Sequence, residues 1–278
     1  MTDQELTLKA VRLRKRLLEV IVNAGAGHTG GDLSCLDILN VLYNRVLRIS
    51  PETVKDPHRD HYVQSKGHCV EALYVVLADR GYFPDADLET VCHYKSYYVG
   101  HPTRKIPGIE MNTGALGHGL PVCLGMALAA KLDRAPYRVF TLLGDGELAE
   151  GSNWEAAMAA SHHKLDNLVA ILDHNTLQIS GHTREVMSNE PIDEKFRAFG
   201  WDVRVINGHD YAELTKALTE PAPIGQPVFV MANTVKGKGI SFMENVAKWH
   251  HGVTSAQELQ TALGELDAAE HTLEEAIK

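Results

Sequence analysis

Residues 138–175, RVFTLLGDGELAEGSNWEAAMAASHHKLDNLVAILDHN, decide the fold of this chain. Arg138–Leu143 and Asn167–Leu172 are apolar, β-branched runs of strand length, and Glu155–Ser161 between them is typical of a helix. This order and spacing are those of a strand–helix–strand crossover, which joins two parallel strands. We therefore predict an α/β fold, in which a doubly wound, mostly parallel sheet carries helices on both faces.

The rest of the chain continues the alternation of helix and strand, and we expect one domain. Further helices are predicted at Leu6–Asn23, Cys35–Val46, Cys69–Arg80, Gly119–Leu132, Ala212–Leu218 and Gln257–Ile277, and further strands at Trp201–Ile206 and Pro227–Ala232. The long segment from Gly81 to Gly117 has little periodicity, which in a compact domain indicates a functional loop. The C-terminal helix is predicted to pack against the domain or a partner.

Polar residues follow both strands of the crossover, at Asp145 and Asn175. The carboxyl ends of parallel strands meet at one edge of a sheet, where open α/β sheets bind ligands. A carboxylate, an amide oxygen and the nearby carbonyl of Leu177 form an all-oxygen set that suits magnesium better than softer metals. A lone Gly-Asp-Gly is more often a plain turn, but the spaced pattern favours a cation and a diphosphate at this edge.

Composition indicates an ordinary globular protein. The chain has 278 residues, of which 44% are hydrophobic, and a formal net charge of −9, which argues against nucleic acid as a partner. It has no apolar run of membrane-spanning length and no signal-peptide pattern at its N-terminus, so we expect no membrane contact and a cytosolic location. The basic stretch Arg12–Arg16 is expected on a solvated helix face. Four scattered cysteines predict neither a disulfide framework nor a zinc site.

Five motifs in order along the chain resemble the transketolase family, in the form of the N-terminal subunit of split transketolases. They are GHTGG (27–31), SKGHCV (65–70), GHPTRKIPGIEMNTGALGHGL (100–120), the 144–175 block and TVKGKGISFMENVAKWHHG (234–252). The resemblance implies a thiamine diphosphate-binding fold of the diphosphate (PP) type, with residues 1–278 as a single PP domain. It places the pyrimidine and C-terminal domains on another chain.

The resemblance also implies the cofactor ligands. Asp145, Asn175 and the carbonyl of Leu177 would bind Mg²⁺, or another divalent ion such as Ca²⁺ or Mn²⁺. The backbone of Gly146 and the side chain of His68 would hold the diphosphate of thiamine diphosphate.

A further histidine near the C-terminus would share that diphosphate and handle protons. Many relatives have one histidine after the tryptophan, whereas this chain has Trp249-His250-His251-Gly252. Alignment on the tryptophan favours His250 and alignment on the glycine favours His251, so both stay open.

The remaining expected site residues lie in the other motifs. His28 and His101 would face the sugar as catalytic imidazoles, because a neutral side chain with a pKa near working pH can pass protons to a carbonyl oxygen. Gly114 and Leu116 would line the cofactor cleft. Glu150 would join a carboxylate network, at the subunit interface, with the partner's catalytic glutamate.

Most of the 15 histidines are expected to lie at the surface or in caps. These are His58, His61, His93, His162, His163, His182, His209 and His271, while His118 is expected behind the site. Arg104 and Lys238 are weaker candidates for binding a sugar phosphate, and Lys236–Gly239 is also consistent with a plain turn.

The function implied is reversible transfer of a two-carbon ketol group from a ketose phosphate to an aldose. The partner would be the C-terminal transketolase subunit, which carries the pyrimidine-domain glutamate, in an α2β2 assembly. Three alternatives stay open: a 1-deoxyxylulose-phosphate synthase type of enzyme, a 2-oxoacid dehydrogenase subunit, and a non-catalytic cofactor-binding subunit kept for assembly.

Overall fold

The strands of the computed structural model, which describes residues 1–277, form one main sheet and one short hairpin. The main sheet contains β1 (His61–Gln64), β2 (Val139–Gly144), β3 (Leu168–His174), β6 (Asp202–Asn207) and β7 (Val228–Asn233). All its neighbouring strands are parallel, in the order β1-β2-β3-β7-β6. The hairpin pairs β4 (Leu177–Gln178) with β5 (Gly181–His182) in antiparallel register.

Helices connect the parallel strands, as crossover connections require. They are α1 (Asp3–Ala24), α2 (Thr29–Val41), α3 (Val70–Asp79), α4 (Gly119–Asp133), α5 (Gly151–His162), α6 (Thr183–Val186), α7 (Ile192–Ala198), α8 (Tyr211–Thr219) and α9 (Ala256–Ile277). A π-helical turn, Leu42–Val46, follows α2, and short 3₁₀ turns lie at Asp85–Thr90, Gly146–Ala149 and Ala247–His251.

The sheet has a hydrophobic core on each face, because successive side chains of a strand point to opposite sides. On β2, Phe140 and Leu142 join the core formed with α1, α2, α3 and α8, whereas Val139 and Leu143 join the core formed with α4, α5 and α7. Central strands buried on both faces have continuous apolar sequences rather than alternating ones. The predicted doubly wound α/β fold is confirmed.

Several elements differ from the sequence prediction: α6, α7 and the β4–β5 hairpin were not predicted, and two further differences have a clear cause. The edge strand β1 was not predicted, because His61–Gln64 is short and lacks a β-branched run. Helix α2 begins at Thr29 rather than Cys35, since Gly30 and Gly31 look like a turn in sequence but lie inside the helix. A Cβ on Gly30 would lie 2.8 Å from the carbonyl oxygen of Trp249, so close packing explains that glycine.

One basic residue of α1 is not solvated as expected. Arg14 is 5% exposed and forms a two-point hydrogen bond with Asp37 of α2, at 3.1 and 2.7 Å. The prediction for Arg12–Arg16 is therefore wrong at Arg14, whose helical position faces the core. Helix α9 packs against α1 through buried Ala262 and Leu266, which places the C-terminal helix on this domain.

The helices of residues 1–277 include none with the length and apolarity needed to cross a membrane. All four cysteines are free thiols, and Cys92 is the exposed one among them.

Two buried carboxyl groups, Asp32 of α2 and Glu71 of α3, form an isolated pair in the larger core. They are 0% and 1% exposed, and one oxygen of each has no hydrogen-bond partner among the described residues. The other Asp32 oxygen accepts from the backbone N–H of Ala72 at 2.9 Å, in the first turn of α3. Burial raises the pKa of Glu71 to about 8 and raises that of Asp32 as well, so the pair retains a proton at neutral pH.

Replacing Glu71 with glutamine should remove a pH dependence of stability. The unfolded glutamate releases its proton near pH 4.5 and the folded one near pH 8, so the folded state binds more protons between these values. Wild-type stability should therefore fall as pH rises through this window, by about 2 kcal/mol from about pH 6 to about pH 8. Urea denaturation at both pH values should show a smaller fall for Glu71→Gln, and an unchanged fall for the exposed control Glu19→Gln. An equal slope in wild type and Glu71→Gln would contradict this assignment.

Candidate functional site

A cavity of about 300 Å³ lies at the carboxyl ends of β2 and β3. This is the edge that the sequence predicted for ligand binding. Its lining residues are His28, Lys66, His68, Gly114, Leu116, Gly144, Asp145, Gly146, Glu147, Asn175, Leu177, Gln178, Ile179, Lys236 and His250. Nine expected site residues thus share one cavity: eight come from the five separate sequence motifs, and Leu177 lies two residues after the 144–175 block.

Asp145 follows β2 and is 4% exposed. One carboxylate oxygen accepts from the N–H of Gly146 at 2.7 Å, and the other accepts from the N–H of Thr176. Thr176 has φ of +64°, in the left-handed region that is costly for a β-branched residue. This backbone turn brings Asn175 and Leu177 beside the carboxylate. Burial raises the pKa of Asp145, and the negative charge of Asp173 raises it further, which favours a bound cation there.

The side chain of Asn175 is oriented by its hydrogen bonds. Its Nδ2 donates to Asp173 at 3.1 Å and to the hydroxyl of Ser34 at 3.4 Å. Its Oδ1 accepts from the N–H of Leu177 at 3.1 Å and retains a second lone pair. Because the amide nitrogen is held by Asp173, the oxygen is the atom presented to a cation.

The donor set fits a hard cation. Within residues 1–277, no group of three or more His, Cys, Asp and Glu side chains is placed to hold a metal. The expected site therefore depends on one carboxylate, one amide oxygen and the carbonyl of Leu177, which together match magnesium rather than zinc. The Leu177 carbonyl also accepts a hydrogen bond from Lys236 Nζ at 3.0 Å.

The cavity also suits an anion. Gly146 lies so close to Gln178 that an added Cβ would be 2.9 Å from its Cγ, which leaves backbone at the cavity wall. The side-chain nitrogen of Gln178 is buried without a hydrogen-bond partner among the described residues, so it is an available donor in the lining. Lys236 is 2% exposed and adds a cation, although burial, together with the charge of Lys66, lowers its pKa.

Beneath the cavity, Lys66 and Asp173 form a buried ion pair. Their side chains are 2% and 0% exposed, and Lys66 Nζ also donates to the carbonyl of Gly31 at 3.2 Å. Burial alone would lower the pKa of Lys66, but the charge of Asp173 holds it well above its usual value. Burial likewise opposes ionisation of Asp173, and the charge of Lys66 outweighs it to lower that pKa. Both groups are therefore ionised at neutral pH.

Glu147 connects three walls of the cavity. Its carboxylate accepts from the N–H of Gly117 and of Gly144, each at 2.9 Å, and from the hydroxyl of Ser65. The same hydroxyl accepts from the N–H of Gly119 at 3.1 Å, at the start of α4. Glu147 therefore fixes the turn that carries Gly114 and Leu116 relative to the end of β2.

Four imidazoles cluster at one side of the cavity. The ring centroid of His28 lies 5.0 Å from that of His68, 5.7 Å from that of His250 and 4.7 Å from that of His251. Burial, assisted by neighbouring His68, lowers the pKa of His28 to about 4, and burial with the charge of Lys236 lowers the pKa of His250 to about 3. His28 and His250 are therefore neutral at neutral pH.

The proton of His250 can be assigned from its partner. Lys236 Nζ lies 2.9 Å from His250 Nδ1, and an ammonium group only donates, so Nδ1 accepts and Nε2 carries the proton. Of the two histidines left open by the sequence, His250 lines the cavity, whereas His251 is exposed and packs on His28.

Two other expected residues lie beside the cavity rather than in its lining. A Cβ on Gly114 would be 2.8 Å from the ring of His101, so that imidazole packs directly behind a lining residue. Burial lowers the pKa of His101, and neighbouring His68 lowers it further. Glu150 is exposed at the start of α5, where its Cβ approaches Gly117.

Several lining residues were not assigned from the sequence: Lys66, Glu147, Gln178, Ile179 and Lys236. Lys66 and Glu147 lie inside quoted motifs without an assigned role. Lys236 follows the buried strand β7, and a lysine at that end of a parallel strand was the signal that could have identified it. The other lysine of that turn, Lys238, pairs with Glu244 at 3.2 Å and lies outside the cavity lining, as does Arg104.

The sheet and its edge define a cofactor-binding α/β domain of the thiamine diphosphate type. Residues 5–271 match the family described as "Transketolase, thiamine diphosphate binding domain". The chain belongs to the transketolase family.

Similar proteins include two that are named as transketolase subunits. The chain is 48% identical to an apulose-4-phosphate transketolase subunit of Phocaeicola vulgatus, over 99% of this chain and 98% of that one. It is 41% identical to the 6-deoxy-6-sulfo-D-fructose transketolase subunit SqwG of a Clostridium species, over 96% and 98%. Human transketolase is 40% identical over 89% of this chain but only 40% of its own length.

A solved structure supports the same assignment. Transketolase from Campylobacter jejuni superposes with a TM-score of 0.90 and 32% identity over 98% of this chain. This chain spans 46% of the length of that protein. The matched portion is therefore one part of a larger single-chain enzyme.

Removing the charge of Asp173 should destabilise the protein strongly. Asp173→Asn leaves Lys66 buried without its counter-ion, which should lower the free energy of unfolding by about 3–5 kcal/mol. Urea denaturation measures this, with Glu274→Gln, which breaks an exposed pair with Arg12, as a control costing at most about 1 kcal/mol. Adding Lys66→Met to Asp173→Asn should recover part of the loss. Equal losses for Asp173→Asn and the control would contradict a buried ion pair.

Proposed function

We propose that this chain is the cofactor-anchoring subunit of a two-polypeptide transketolase, which transfers a two-carbon ketol group from a ketose to an aldose. The observation that carries the proposal is the convergence of Asp145, Asn175 and Lys236 on one cavity at the sheet edge. Oxygen donors for a divalent cation lie there beside donors for an anion, as a magnesium diphosphate requires.

The residues present fit such a group. Asp145, Asn175 and the carbonyl of Leu177 would hold Mg²⁺ or a similar divalent cation such as Ca²⁺ or Mn²⁺. The N–H of Gly146 and the side chains of His68 and His250 would hold the diphosphate. We add Lys236 to this set, because its buried ammonium already donates to Leu177 and His250 inside the cavity.

Thiamine diphosphate, when bound, supplies a carbanion that breaks and forms carbon–carbon bonds next to a carbonyl. The imidazoles of this chain would manage protons on the sugar oxygens. His28 and His250 are neutral at neutral pH, so each can donate one hydrogen bond and accept another. His250 would donate from Nε2, while His101, beside Gly114, would bind donor hydroxyls near the carbonyl end.

The site needs a partner to be complete. Relatives that this chain matches over nearly their whole length are named as subunits of a transketolase, and it spans only 40–46% of single-chain transketolases. We propose that a second polypeptide carries the pyrimidine-binding and C-terminal domains and contributes the glutamate that activates the cofactor. Glu150, exposed beside the Gly117 turn, would meet that glutamate across the interface of an α2β2 assembly.

The proposed substrates are sugars with an anionic group. The related subunits are named for apulose 4-phosphate and for a sulfonated fructose, and both sugars carry a strong anion. These names favour ketol transfer over the 1-deoxyxylulose-phosphate synthase and 2-oxoacid dehydrogenase alternatives, for which a 2-oxoacid would be the donor. We place the enzyme in the cytosol, in agreement with its metabolic substrates.

Metal-dependent cofactor binding should depend on Asp145. Asp145→Ala removes the single carboxylate of the proposed cation site, so calorimetric titration with thiamine diphosphate should detect no magnesium-dependent binding. Cys92→Ala, at an exposed position outside the lining, should bind as wild type does. Retention of magnesium-dependent binding by Asp145→Ala would place the cation elsewhere.

Ketol transfer should require two polypeptides. The purified chain, supplied with magnesium and thiamine diphosphate, should form no product from a ketose phosphate and an aldose acceptor, since the companion polypeptide would supply the activating glutamate. Addition of the companion polypeptide should give product, measured by chromatography of the sugar phosphates. Turnover by the chain alone would refute the two-chain arrangement. Release of carbon dioxide from pyruvate by the assembled enzyme, without ketol transfer, would refute the transketolase assignment.

A further inference from the structure

Three polar side chains, those of Arg14, His209 and Tyr211, surround Asp37 of α2 outside the cavity; Arg14, Asp37 and Tyr211 are buried and His209 is half-buried. Asp37 is 3% exposed and accepts hydrogen bonds from Arg14 at 3.1 and 2.7 Å, from His209 Nδ1 at 2.7 Å and from Tyr211 at 2.5 Å. Burial alone would raise the pKa of Asp37, but the charge of Arg14 and these hydrogen bonds hold it below its usual range. We call these four residues the Asp37 cluster. The expectation that His209 is a surface or capping residue is therefore wrong.

Two members of the Asp37 cluster hold the backbone of one segment, residues 234–239. His209 Nε2 accepts from the N–H of Val235 at 2.9 Å, and Arg14 Nε donates to the carbonyl of Lys238 at 3.1 Å. The bond from Val235 makes Nε2 an acceptor, so the ring proton resides on Nδ1 and is donated to Asp37. The carboxylate of Asp37 thus fixes the tautomer of His209, as carboxylates do for histidines behind metal sites.

Lys236 lies between these two anchored residues and points the other way, into the cavity. Its Nζ donates to the carbonyl of Leu177 at 3.0 Å and lies 2.9 Å from His250 Nδ1. The segment has little regular structure of its own, and Gly237 and Gly239 have φ of +81° and +94°. The backbone of residues 234–239 is therefore held in place by contacts from outside the segment, and the Asp37 cluster supplies two of these contacts.

We infer that His209, fixed by Asp37, is a positioning residue that places the Lys236 ammonium group in the cofactor cavity. The inference rests on the proposed function, since it assumes that the cavity holds the magnesium diphosphate of the cofactor. A hydrogen-bond chain runs from Asp37 through His209 to Val235, and the next residue carries the cation. His209 donates to Asp37 and accepts from Val235, outside the cavity lining, so it acts only through the segment.

Histidine suits this position for a chemical reason. The site needs one donor toward Asp37 and one acceptor toward Val235, on opposite sides of a short, rigid side chain, which the neutral imidazole provides. Alanine at this position would leave the N–H of Val235 and one lone pair of Asp37 without these partners. Glutamine would keep an acceptor near the place of Nε2, so it is the conservative replacement.

The test compares His209→Ala and His209→Gln with a matched control from the same loop. The Asp210 carboxylate caps the N-terminus of α8, where it accepts from the backbone N–H of Glu213 at 2.9 Å. Asp210→Ala should therefore lower the stability of the protein without changing the contacts of residues 234–239. The affinity of the full chain for thiamine diphosphate with magnesium is measured by calorimetry. We expect about tenfold weaker binding for His209→Ala, close to wild-type binding for His209→Gln, and an unchanged affinity for Asp210→Ala.

A double-mutant cycle shows whether His209 acts through Lys236. Lys236→Met should weaken binding, and adding His209→Ala should weaken it by less than about twofold more, because the shared effect is already lost. If the fold-losses in affinity of the two single variants multiply in the double variant, the inference is overturned. Wild-type affinity in His209→Ala would overturn it as well. Either result would show that His209 supports the fold alone.

Hydrogen exchange without cofactor separates this inference from the proposed function. Amide exchange in the 234–239 peptide, measured by mass spectrometry, should be faster in His209→Ala than in wild type or Asp210→Ala. Unchanged exchange in His209→Ala would overturn the inference while leaving the proposed function intact. Faster exchange, combined with a wild-type chain that binds no thiamine diphosphate, would refute the proposed function while showing that His209 still positions the segment.

Discussion

The carboxylate of Asp173, at the carboxyl end of β3, connects the walls of the candidate site. It accepts hydrogen bonds from Lys66, from Ser34 at 2.6 Å, from Thr234 and from Asn175 at 3.1 Å. Each partner either belongs to the cavity or lies within two residues of a lining residue, except Ser34, which is on α2. One buried charge therefore sets the relative positions of four segments that are distant in sequence.

A buried ion pair contributes little net stability, because the desolvation of both charges offsets their attraction. The pair of Lys66 and Asp173 is better explained by what it specifies. It keeps a cation at the cavity that we propose to bind a diphosphate, and it orients the amide of Asn175 so that its oxygen faces the proposed metal position. Lys236 supplies a second cation in the same cavity lining. The neutral imidazoles then add hydrogen-bond donors without adding further positive charge that the two lysines would repel.

The sequence predicted what depends on local pattern. Apolar β-branched runs identified the central strands, and the polar residues that follow β2 and β3 identified the sheet edge where the cavity lies. Local pattern failed where a contact joins distant residues. Nothing near His209 shows that its partner is Asp37, which lies 172 residues away, and nothing near Arg14 shows that it is buried. Gly30 and Gly31 of α2 likewise look like a turn in the sequence, and only the structure shows Trp249 against Gly30 and Cys69 against Gly31.

Several large apolar and aromatic side chains are exposed on this domain, and one of them lines the cavity. Ile179 lines the cavity and is nevertheless 67% exposed, and Met187, just after α6, is 58% exposed. Tyr94 and Tyr97, in the loop that leads to His101, are 92% and 62% exposed. Exposed apolar side chains of this kind are typical of interaction surfaces. The chain spans less than half the length of the single-chain relatives, and in the two-polypeptide enzyme proposed above the companion polypeptide would cover Ile179. Exclusion of water from the reacting carbons would then depend on the assembled enzyme, because both polypeptides would contribute walls to its reaction chamber.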